Sequence, residues 1–318
     1  MIFLILPEVE MLDFAGPLQV FSEAARTRPR YRIRLCSTRE RVRCDQGVTL
    51  ADLEPLPDAH SGDLVIVPGM PYRMTERIER PVLRWLRDAH AGGAHVASVC
   101  TGAFVLGEAG LLAGRRCTTH WARTNDLQRR FPAARVLADR LFVTDGSVTT
   151  SAGIASGIDM ALGMIEQAHG TLLAAEIARE MVVYIRRDGA HQQQSIYLDY
   201  RTHLHPGVHR IQDWLVQNPG EKYTLMDLGA VAGMSARNLT RVFRRETGIS
   251  VKDFATRVRL ERARALLHDP MLTIEAVAQK CGFETSRQFR RVWRDAFGGT
   301  PTEDPSPRRA GRRSPKGG

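Results

Sequence analysis

Short apolar runs recur along the first half of the chain and predict buried β-strands. Four of them are separated by helix-like or turn-rich stretches: IFLILP from Ile2, RIRLCS from Arg32, DLVIVPG from Asp63 and HVASVC from His95. Their apolar residues are continuous rather than alternating, which is typical of strands that helices cover on both faces. We therefore predict an α/β domain with a mostly parallel sheet between helices.

In the last third of the chain the apolar residues follow a helical period, and one pattern is present twice. The segments YTLMDLGAVAGMSARNLTRVFRRETGIS, from Tyr223, and TIEAVAQKCGFETSRQFRRVWRDAFGGT, from Thr273, each predict a helix, a glycine-containing turn and a second helix. We align the Ala-Val-Ala of residues 230–232 with that of residues 276–278. In the second helices the repeat has a constant offset of 50 residues: Leu239, Val242, Phe243 and Gly248 recur as Phe289, Val292, Trp293 and Gly298.

Each second helix predicts one apolar stripe, which packs on the preceding helix and leaves an arginine-rich face outside. Ser235 and Thr285 are predicted N-caps of these helices. Arginine can donate two hydrogen bonds to guanine and can also bind phosphate, so this face suits a major-groove recognition helix. The predicted DNA-contacting residues are Ser235, Arg237, Asn238, Thr240, Arg241 and Arg244 in the first unit and Ser286, Arg287, Arg290 and Arg291 in the second, with Arg294 on the same face.

The segment between the two units, VKDFATRVRLERARALLHD, predicts one long helix that holds them at a fixed separation. Such spacing would place both recognition helices in successive major grooves of double-stranded DNA. Charge agrees with this interpretation, because residues 221–318 hold 20 Lys and Arg against 11 Asp and Glu, whereas the first 220 residues hold 25 against 24. For one unit alone, a structural helix pair with a solvated basic face is the alternative.

The segment from about Gly207 to Pro301 resembles the AraC/XylS family of transcription activators, including the RLERARALL helix and the Gly282-Phe283 pair. The resemblance implies a sequence-specific promoter-binding regulator, an activator, that contacts RNA polymerase. The chain departs from the family after Thr300-Pro301, where members usually carry a Ser-Pro and an aromatic-basic pair. We expect the Pro-, Gly- and Arg-rich residues 303–318 to form a disordered basic tail.

Two strand ends in the α/β domain carry candidate ligand-binding residues. After HVASV the chain turns at Cys100, Thr101 and Gly102 directly into a predicted helix, which is a strand-to-helix elbow. Asp13 follows the first strand, and His120 lies in RCTTHW, which we read as another strand. Ligands of such sheets bind beyond the carboxyl ends of the strands, so we expect Asp13 and the elbow to face each other.

These segments, with VTTSAGIASGIDMAL and RRDGAHQQQS, resemble the DJ-1/PfpI superfamily. The combination of the two domains resembles the GlxA-type regulators within the AraC family. The resemblance implies a flavodoxin-like sensor domain and no cofactor. The carboxylate of Asp13 and the amides at the helix start after Cys100 favour a small amine- or amino-acid-like effector.

An enzyme is the alternative function for this domain. Asp13, Cys100 and Thr101 resemble the arrangement in isonitrile hydratases of the superfamily, so a hydratase or amidase with Cys100 as nucleophile remains open. Superfamily hydrolases commonly carry a histidine where Thr101 stands, and a thiol of ordinary pKa is only a few per cent thiolate at neutral pH. We therefore expect a regulator rather than an enzyme. A redox-sensing Cys100 and an empty inherited pocket are further alternatives.

These patterns predict a sensor domain over residues 1–188, a linker over 189–206, a DNA-binding domain over 207–302 and the tail over 303–318. His203-x-His205 is a weak metal candidate, because neither cysteine nor enough acidic residues join it at ligand spacing. LLAAEIAREMVVYIRR, from Leu172, predicts an amphipathic helix that could join two copies in a dimer or cover the sheet.

Two further features indicate where the protein functions. The five cysteines are odd in number and lack CxxC spacing, which favours reduced thiols in the cytoplasm. No uninterrupted apolar run approaches about 18 residues, so we expect no transmembrane helix and no membrane partner.

Overall fold

A computed structural model of the chain describes residues 1–27, 31–138, 140–183, 189, 200–201, 203–267, 269, 271–297 and 299–301. It forms two compact units, residues 1–193 and residues 194–318. The predicted linker, residues 189–206, lies mostly outside the described residues, and so does the predicted tail, residues 303–318.

The first unit contains a six-stranded sheet of order β2-β1-β5-β6-β10-β9. All neighbouring pairs are parallel except β9 with β10, so one antiparallel strand forms the edge. The four predicted strands are confirmed, and they are four neighbouring strands of the sheet, to which β10 adds a fifth parallel strand. The strands of this sheet are β1 (Ile2–Leu4), β2 (Arg34–Cys36), β5 (Leu64–Val67), β6 (His95–Val99), β9 (Phe142–Asp145) and β10 (Val148–Ser151). Short pairs are formed by β3 (Val42–Arg43) with β4 (Thr49–Leu50) and by β7 (Arg116–Cys117) with β8 (Arg135–Val136).

Successive residues of the central strands enter two different hydrophobic cores, which is why their sequences are apolar without alternation. Ile2 and Leu4 face the core formed with α2 and α3, whereas Phe3 and Ile5 face the core formed with α1, α5 and α6. The predicted sheet between helical layers is therefore confirmed. The helices of this unit are α1 (Met11–Thr27), α2 (Arg80–Ala91), α3 (Gly102–Glu108), α4 (Thr124–Arg130), α5 (Ser156–His169) and α6 (Thr171–Glu180).

The second unit is built from helices. They are α7 (Pro206–Gln217), α8 (Leu225–Ala232), α9 (Ala236–Thr247), α10 (Val251–Leu267), α11 (Ile274–Lys280) and α12 (Ser286–Phe297). Local capping sets their ends. Ser235 Oγ accepts a hydrogen bond from the Asn238 amide at 3.4 Å, and Thr285 Oγ1 accepts one from the Gln288 amide at 3.1 Å. Gly248 ends α9 in the left-handed conformation, with φ of 76°.

Helix α10 is the long connecting helix that the sequence predicts, and it belongs to two separate cores. Its first half packs Phe254 and Val258 against the first helix-turn-helix unit, α8 and α9. Its second half packs Leu260 and Ala263 against the second unit, α11 and α12. One continuous helix of 17 residues, about 25 Å long, therefore joins the two units.

The structure corrects the alignment of the first helices of the two units. The buried residues Leu228, Gly229 and Ala232 of α8 correspond to Val277, Ala278 and Cys281 of α11, an offset of 49. The two Ala-Val-Ala tripeptides, which the sequence analysis aligned, are therefore not equivalent. The turn of the second unit is one residue longer, which restores the offset of 50 in the second helices.

The amphipathic helix predicted from Leu172 is observed as α6. Leu173, Ala174, Ile177 and Ala178 are buried in the core on one face of the sheet, where α6 packs against α1 and α5. Within the described ranges, no helix is long and apolar enough to cross a membrane.

Candidate effector site and nucleic-acid interface

Asp13 is a fully buried carboxyl group in the first turn of α1. Its Oδ1 accepts a hydrogen bond from the Ile154 amide at 3.0 Å, whereas Oδ2 is buried and accepts no hydrogen bond of ordinary geometry, although the Cys100 thiol and the Gly69 amide lie beside the carboxyl group. Gly69 leaves the space that Oδ2 occupies, because a Cβ at that position would overlap this oxygen. The site therefore contains an acceptor that is removed from water and not satisfied.

The surroundings of Asp13 favour its protonated form. Burial, as the largest cause, and the negative charge of Glu10 raise the pKa of the carboxyl group from its usual 3.8 to about 6, although the Ile154 amide opposes them. Neither Lys nor Arg is among the causes of the shift. At neutral pH an ionised Asp13 is thus a buried negative charge that no cation of the described residues offsets.

Cys100 lies at the elbow between β6 and α3, with a positive φ of 56°. Its amide donates to the Ser151 carbonyl at 3.1 Å, and its carbonyl accepts from Thr119 Oγ1 at 2.8 Å. The partly exposed thiol lies beside the carboxyl group of Asp13, so the structure brings the two predicted strand ends together. Burial and the charge of Asp13 raise the pKa of the thiol far above its usual range. The thiol is therefore protonated at neutral pH, which disfavours Cys100 as a nucleophile.

Thr101 and Gly102 support the elbow from inside. The hydroxyl of Thr101 donates to the Met70 carbonyl at 2.5 Å and accepts from the Met70 amide at 2.8 Å. A Cβ at Gly102 would overlap the Val67 carbonyl, so glycine is needed for close packing of α3 on β5. Both residues are buried, and these contacts explain them without a ligand.

His120 does not lie on a strand, and this prediction is wrong. Strand β7 ends at Cys117, and His120 precedes a short 3₁₀ helix, where its Nδ1 accepts from the Ala122 amide at 3.3 Å. The ring nonetheless approaches the site, because a Cβ at Gly153 would lie 2.9 Å from His120 Cδ2 and 3.3 Å from Cys100 Sγ. Burial and the nearby Arg123 lower the pKa of His120, which keeps the imidazole neutral.

Sequence reasoning missed four residues near Asp13 and Cys100: Gly69 and Ile154 contact Asp13, Gly153 lies beside Cys100, and Glu10 acts on both through its charge. Gly69 ends the DLVIVPG run, and that position after a strand was the available signal. The role of Ile154 could not be read from the sequence, because its backbone amide makes the contact. The following three apolar side chains are exposed: those of Ile154, whose amide binds Asp13, and of Leu12 and Trp121, which adjoin Asp13 and His120 in the sequence.

The arginine-rich faces of the two recognition helices, α9 and α12, are exposed as predicted. Leu239, Phe243, Phe289 and Trp293 are buried on the opposite side, so packing fixes which face is outside. The exposed residues are Ser235, Arg237, Thr240, Arg241 and Arg244 in the first unit and Arg287, Arg290, Arg291 and Arg294 in the second, while Asn238 and Ser286 are half-buried.

A shallow depression of about 610 Å³ runs along α12 and is lined by its arginines and by Thr285, Ser286 and Gln288. In the part of the chain that the structure describes, no group of three or more His, Cys, Asp or Glu could hold a metal ion. His191, which the sequence places near the weak metal candidate, lies outside the described residues. His203 instead stacks on His209, with ring centroids 4.5 Å apart.

Comparison with known proteins matches both units. Residues 1–167 match the DJ-1/PfpI family, and residues 228–304 match a helix-turn-helix domain. The chain is 30% identical over 306 residues to the HTH-type transcriptional regulator CdhR of Pseudomonas aeruginosa, which covers 95% of this chain and 90% of that protein.

Two further matches concern the first unit. A crystal structure of an AraC family transcriptional regulator from Pseudomonas putida is similar with a TM-score of 0.51 and 25% identity, covering 57% of this chain and 97% of that one. An isonitrile hydratase of Pseudomonas putida is 36% identical over 169 residues, covering 53% of this chain and 71% of the hydratase. The match to CdhR, unlike the match to the hydratase, extends through the helix-turn-helix units, which supports a regulator over an enzyme. The chain belongs to the DJ-1/PfpI family and is a DNA-binding transcriptional regulator that joins a DJ-1/PfpI domain to an AraC-type helix-turn-helix domain.

Proposed function

We propose that the DJ-1/PfpI domain binds a small amine or amino acid, and that this effector controls how the regulator acts at its promoter. The single observation that carries the proposal is Oδ2 of Asp13, a fully buried acceptor that receives no hydrogen bond of ordinary geometry. An ammonium group supplies both a hydrogen-bond donor and a positive charge. Asp13, the partly exposed Cys100 beside it and His120 are the proposed ligand-binding residues, whereas Thr101 and Gly102 shape the elbow.

The electrostatics of the site favour a cation over an anion. The nearby charged groups that shift the pKa values of Asp13 and Cys100 are all acidic, and Glu10 is common to both. A bound cation would replace the proton that burial favours on Asp13, so binding and ionisation of this carboxyl group are coupled. The exposed apolar side chains of Leu12, Trp121 and Ile154 would contact the less polar part of the effector.

A thermal-shift screen of small amines and amino acids against the full-length protein tests this proposal. A compound that binds the folded state raises the midpoint. We expect Asp13→Asn to abolish the shift and Asp88→Asn, an exposed aspartate on α2, to retain it. Below pH 6 the affinity for the amine should fall about tenfold for each pH unit, because Asp13 then takes up a proton. Equal shifts in Asp13→Asn and wild type would refute the site.

At the promoter, we propose that the ten predicted residues of the two recognition helices form the DNA interface. Their guanidinium groups face outward on helices whose opposite sides are fixed in separate cores. Selection of preferred duplexes from a random pool should succeed with wild type and fail with the double variant Arg241→Ala, Arg291→Ala. The control Arg87→Ala removes an exposed arginine from α2 of the other unit and should still select a sequence. Selection by the double variant would contradict the interface.

The regulator is proposed to act in the cytoplasm as an activator that contacts RNA polymerase, and as a homodimer. The basis is the resemblance to AraC/XylS activators, together with the tendency of such regulators to bind paired half-sites. Transcription from the selected promoter with purified polymerase, with and without the effector, tests the sign of regulation. Sedimentation of the full-length protein with and without duplex tests the dimer, and a monomer under both conditions would exclude it.

A further inference from the structure

The two recognition helices use equivalent positions in different ways. At the offset of 50, Asn238 corresponds to Gln288, Arg241 to Arg291 and Thr240 to Arg290. The side chains at these positions make unlike contacts in the two units. The two helices otherwise share the positions of their buried apolar residues and the hydrogen bond that caps their N-termini.

In the first helix-turn-helix unit, the side chain of Asn238 forms a hydrogen bond with that of Arg241. The Asn238 Oδ1 accepts a hydrogen bond from Arg241 Nη2 at 2.9 Å, one helical turn away. Arg237, Arg241 and Arg244 have no acidic partner among the described residues, so their charges are available to DNA. A free arginine side chain loses rotamer entropy when it is ordered at a base edge, and a hydrogen bond made beforehand reduces that loss.

In the second unit, the equivalent amide is used elsewhere. Gln288 Oε1 accepts from the Glu284 backbone amide at 3.0 Å, in the turn before α12, and makes no bond to Arg291. Arg290 instead forms an ion pair with Glu275 of the preceding helix, with an N–O distance of 3.4 Å. The corresponding residues of the first unit are Thr240, whose hydroxyl donates to its own helix backbone at 3.0 Å, and Met226. Of the two helix-turn-helix units, therefore, the second has this ion pair, and the residues at the equivalent positions of the first cannot form it.

The carboxylate of Glu275 is largely exposed beside the arginine face. There it neutralises part of the charge of Arg290, and it would repel a phosphate that approached this arginine. Among the described residues, no side chain forms a hydrogen bond or ion pair with the other arginines of α12, Arg287, Arg291 and Arg294. A phosphate contact tolerates such freedom, whereas a two-bond contact to guanine requires a fixed fork.

We propose that the first helix-turn-helix unit discriminates between bases, whereas the second binds the phosphate backbone of the DNA. Asn238 is a positioning residue that presents Arg241 to a base edge. Glu275 restrains Arg290 and lowers the affinity of the second helix-turn-helix unit for phosphate. The proposal rests on DNA binding by the two helices, and it adds which unit provides specificity and which residues set it.

The test uses the full-length protein and the duplex that wild type selects from a random pool, with all single-base-pair changes of that duplex. Asn238→Ala should reduce the preference at one base pair about tenfold. The salt dependence of its DNA affinity should equal that of wild type, because no phosphate contact is lost. The double variant with Arg241→Ala should lose no more preference than Arg241→Ala alone, since Asn238 acts through Arg241. Gln288→Ala, the matched control in the second unit, should leave every base preference unchanged.

Glu275→Gln should strengthen binding to every duplex severalfold and make the negative slope of log affinity against log salt steeper by about 0.9, the value of one added phosphate contact. Circular dichroism and the unfolding midpoint verify that each variant is folded. The proposal is overturned if Asn238→Ala relaxes a base pair other than the one relaxed by Arg241→Ala, if it relaxes none, or if Glu275→Gln leaves affinity unchanged. Failure of wild type to select any duplex would instead refute sequence-specific binding itself.

Discussion

The buried carboxyl group of Asp13 makes the stability of the α/β unit depend on pH. In the unfolded chain this group releases its proton near pH 4, whereas in the folded protein burial holds the proton to about pH 6. The folded state is therefore penalised for ionisation as the pH rises through this window. The full penalty, present above pH 6, is about 3 kcal/mol.

Asp13→Asn removes the ionisation and keeps an oxygen that can accept from the Ile154 amide. The new amide nitrogen, at the place of Oδ2, adds a cost that does not vary with pH. The stability of the variant relative to wild type should therefore increase by about 1.4 kcal/mol between pH 5 and pH 7.5, whatever the constant offset.

Hydrogen exchange measured by mass spectrometry on the full-length proteins provides the assay. The amides of β1 and β6 report opening of the unit that contains Asp13. Comparing variant with wild type at each pH cancels the intrinsic pH dependence of exchange. Asp88→Asn, an exposed control, should show no such trend. A difference between Asp13→Asn and wild type that is the same at both pH values would refute the reasoning, because the carboxyl group would then ionise alike in both states.

Three further predictions follow from single contacts. Gly102→Ala should destabilise the unit by about 1 to 3 kcal/mol, measured as a lower unfolding midpoint, since its Cβ overlaps the Val67 carbonyl; an unchanged midpoint would contradict this packing. Trp293→Ala should lower the free energy of unfolding of the second helix-turn-helix unit by about 3 to 5 kcal/mol and expose this unit to proteolysis, because the side chain is buried in its core. Resistance to proteolysis equal to that of wild type would disprove this role. Alkylation of Cys100 by iodoacetamide at pH 8 should be slow and should accelerate in Asp13→Asn, which removes a negative charge that raises the pKa of the thiol; faster alkylation in wild type would be the opposite result.

The parts of the fold that the sequence predicted depend on local periodicity. Strands β1, β5 and β6 are buried and appear as continuous apolar runs, whereas β2 lies at the sheet edge with Arg34 and Leu35 half-buried. The helical stripe of Leu239 and Phe243 decides which face of the first recognition helix is outside. Strands β9 and β10 were not recognised, because their sequences, FVTD and VTTS, are half or more polar and contain no continuous apolar run. The register of α8 against α11 was misjudged because three common residues repeat there by coincidence.

In the candidate sites, too, residue types and spacing were predictable from the sequence, whereas individual contacts were not. The sequence by itself determined that a carboxylate and a thiol follow strand ends, and that two arginine-bearing helices flank a rigid connecting helix, since residue type and spacing are enough for both. Only the tertiary structure decided that Oδ2 of Asp13 accepts no hydrogen bond of ordinary geometry, that the Ile154 amide binds Oδ1, and that Glu275 rather than Gln288 engages an arginine of α12. Those contacts join residues that are distant along the chain or use the backbone, and a hydrogen bond depends on distances of a few tenths of an ångström that no pattern of residue types encodes.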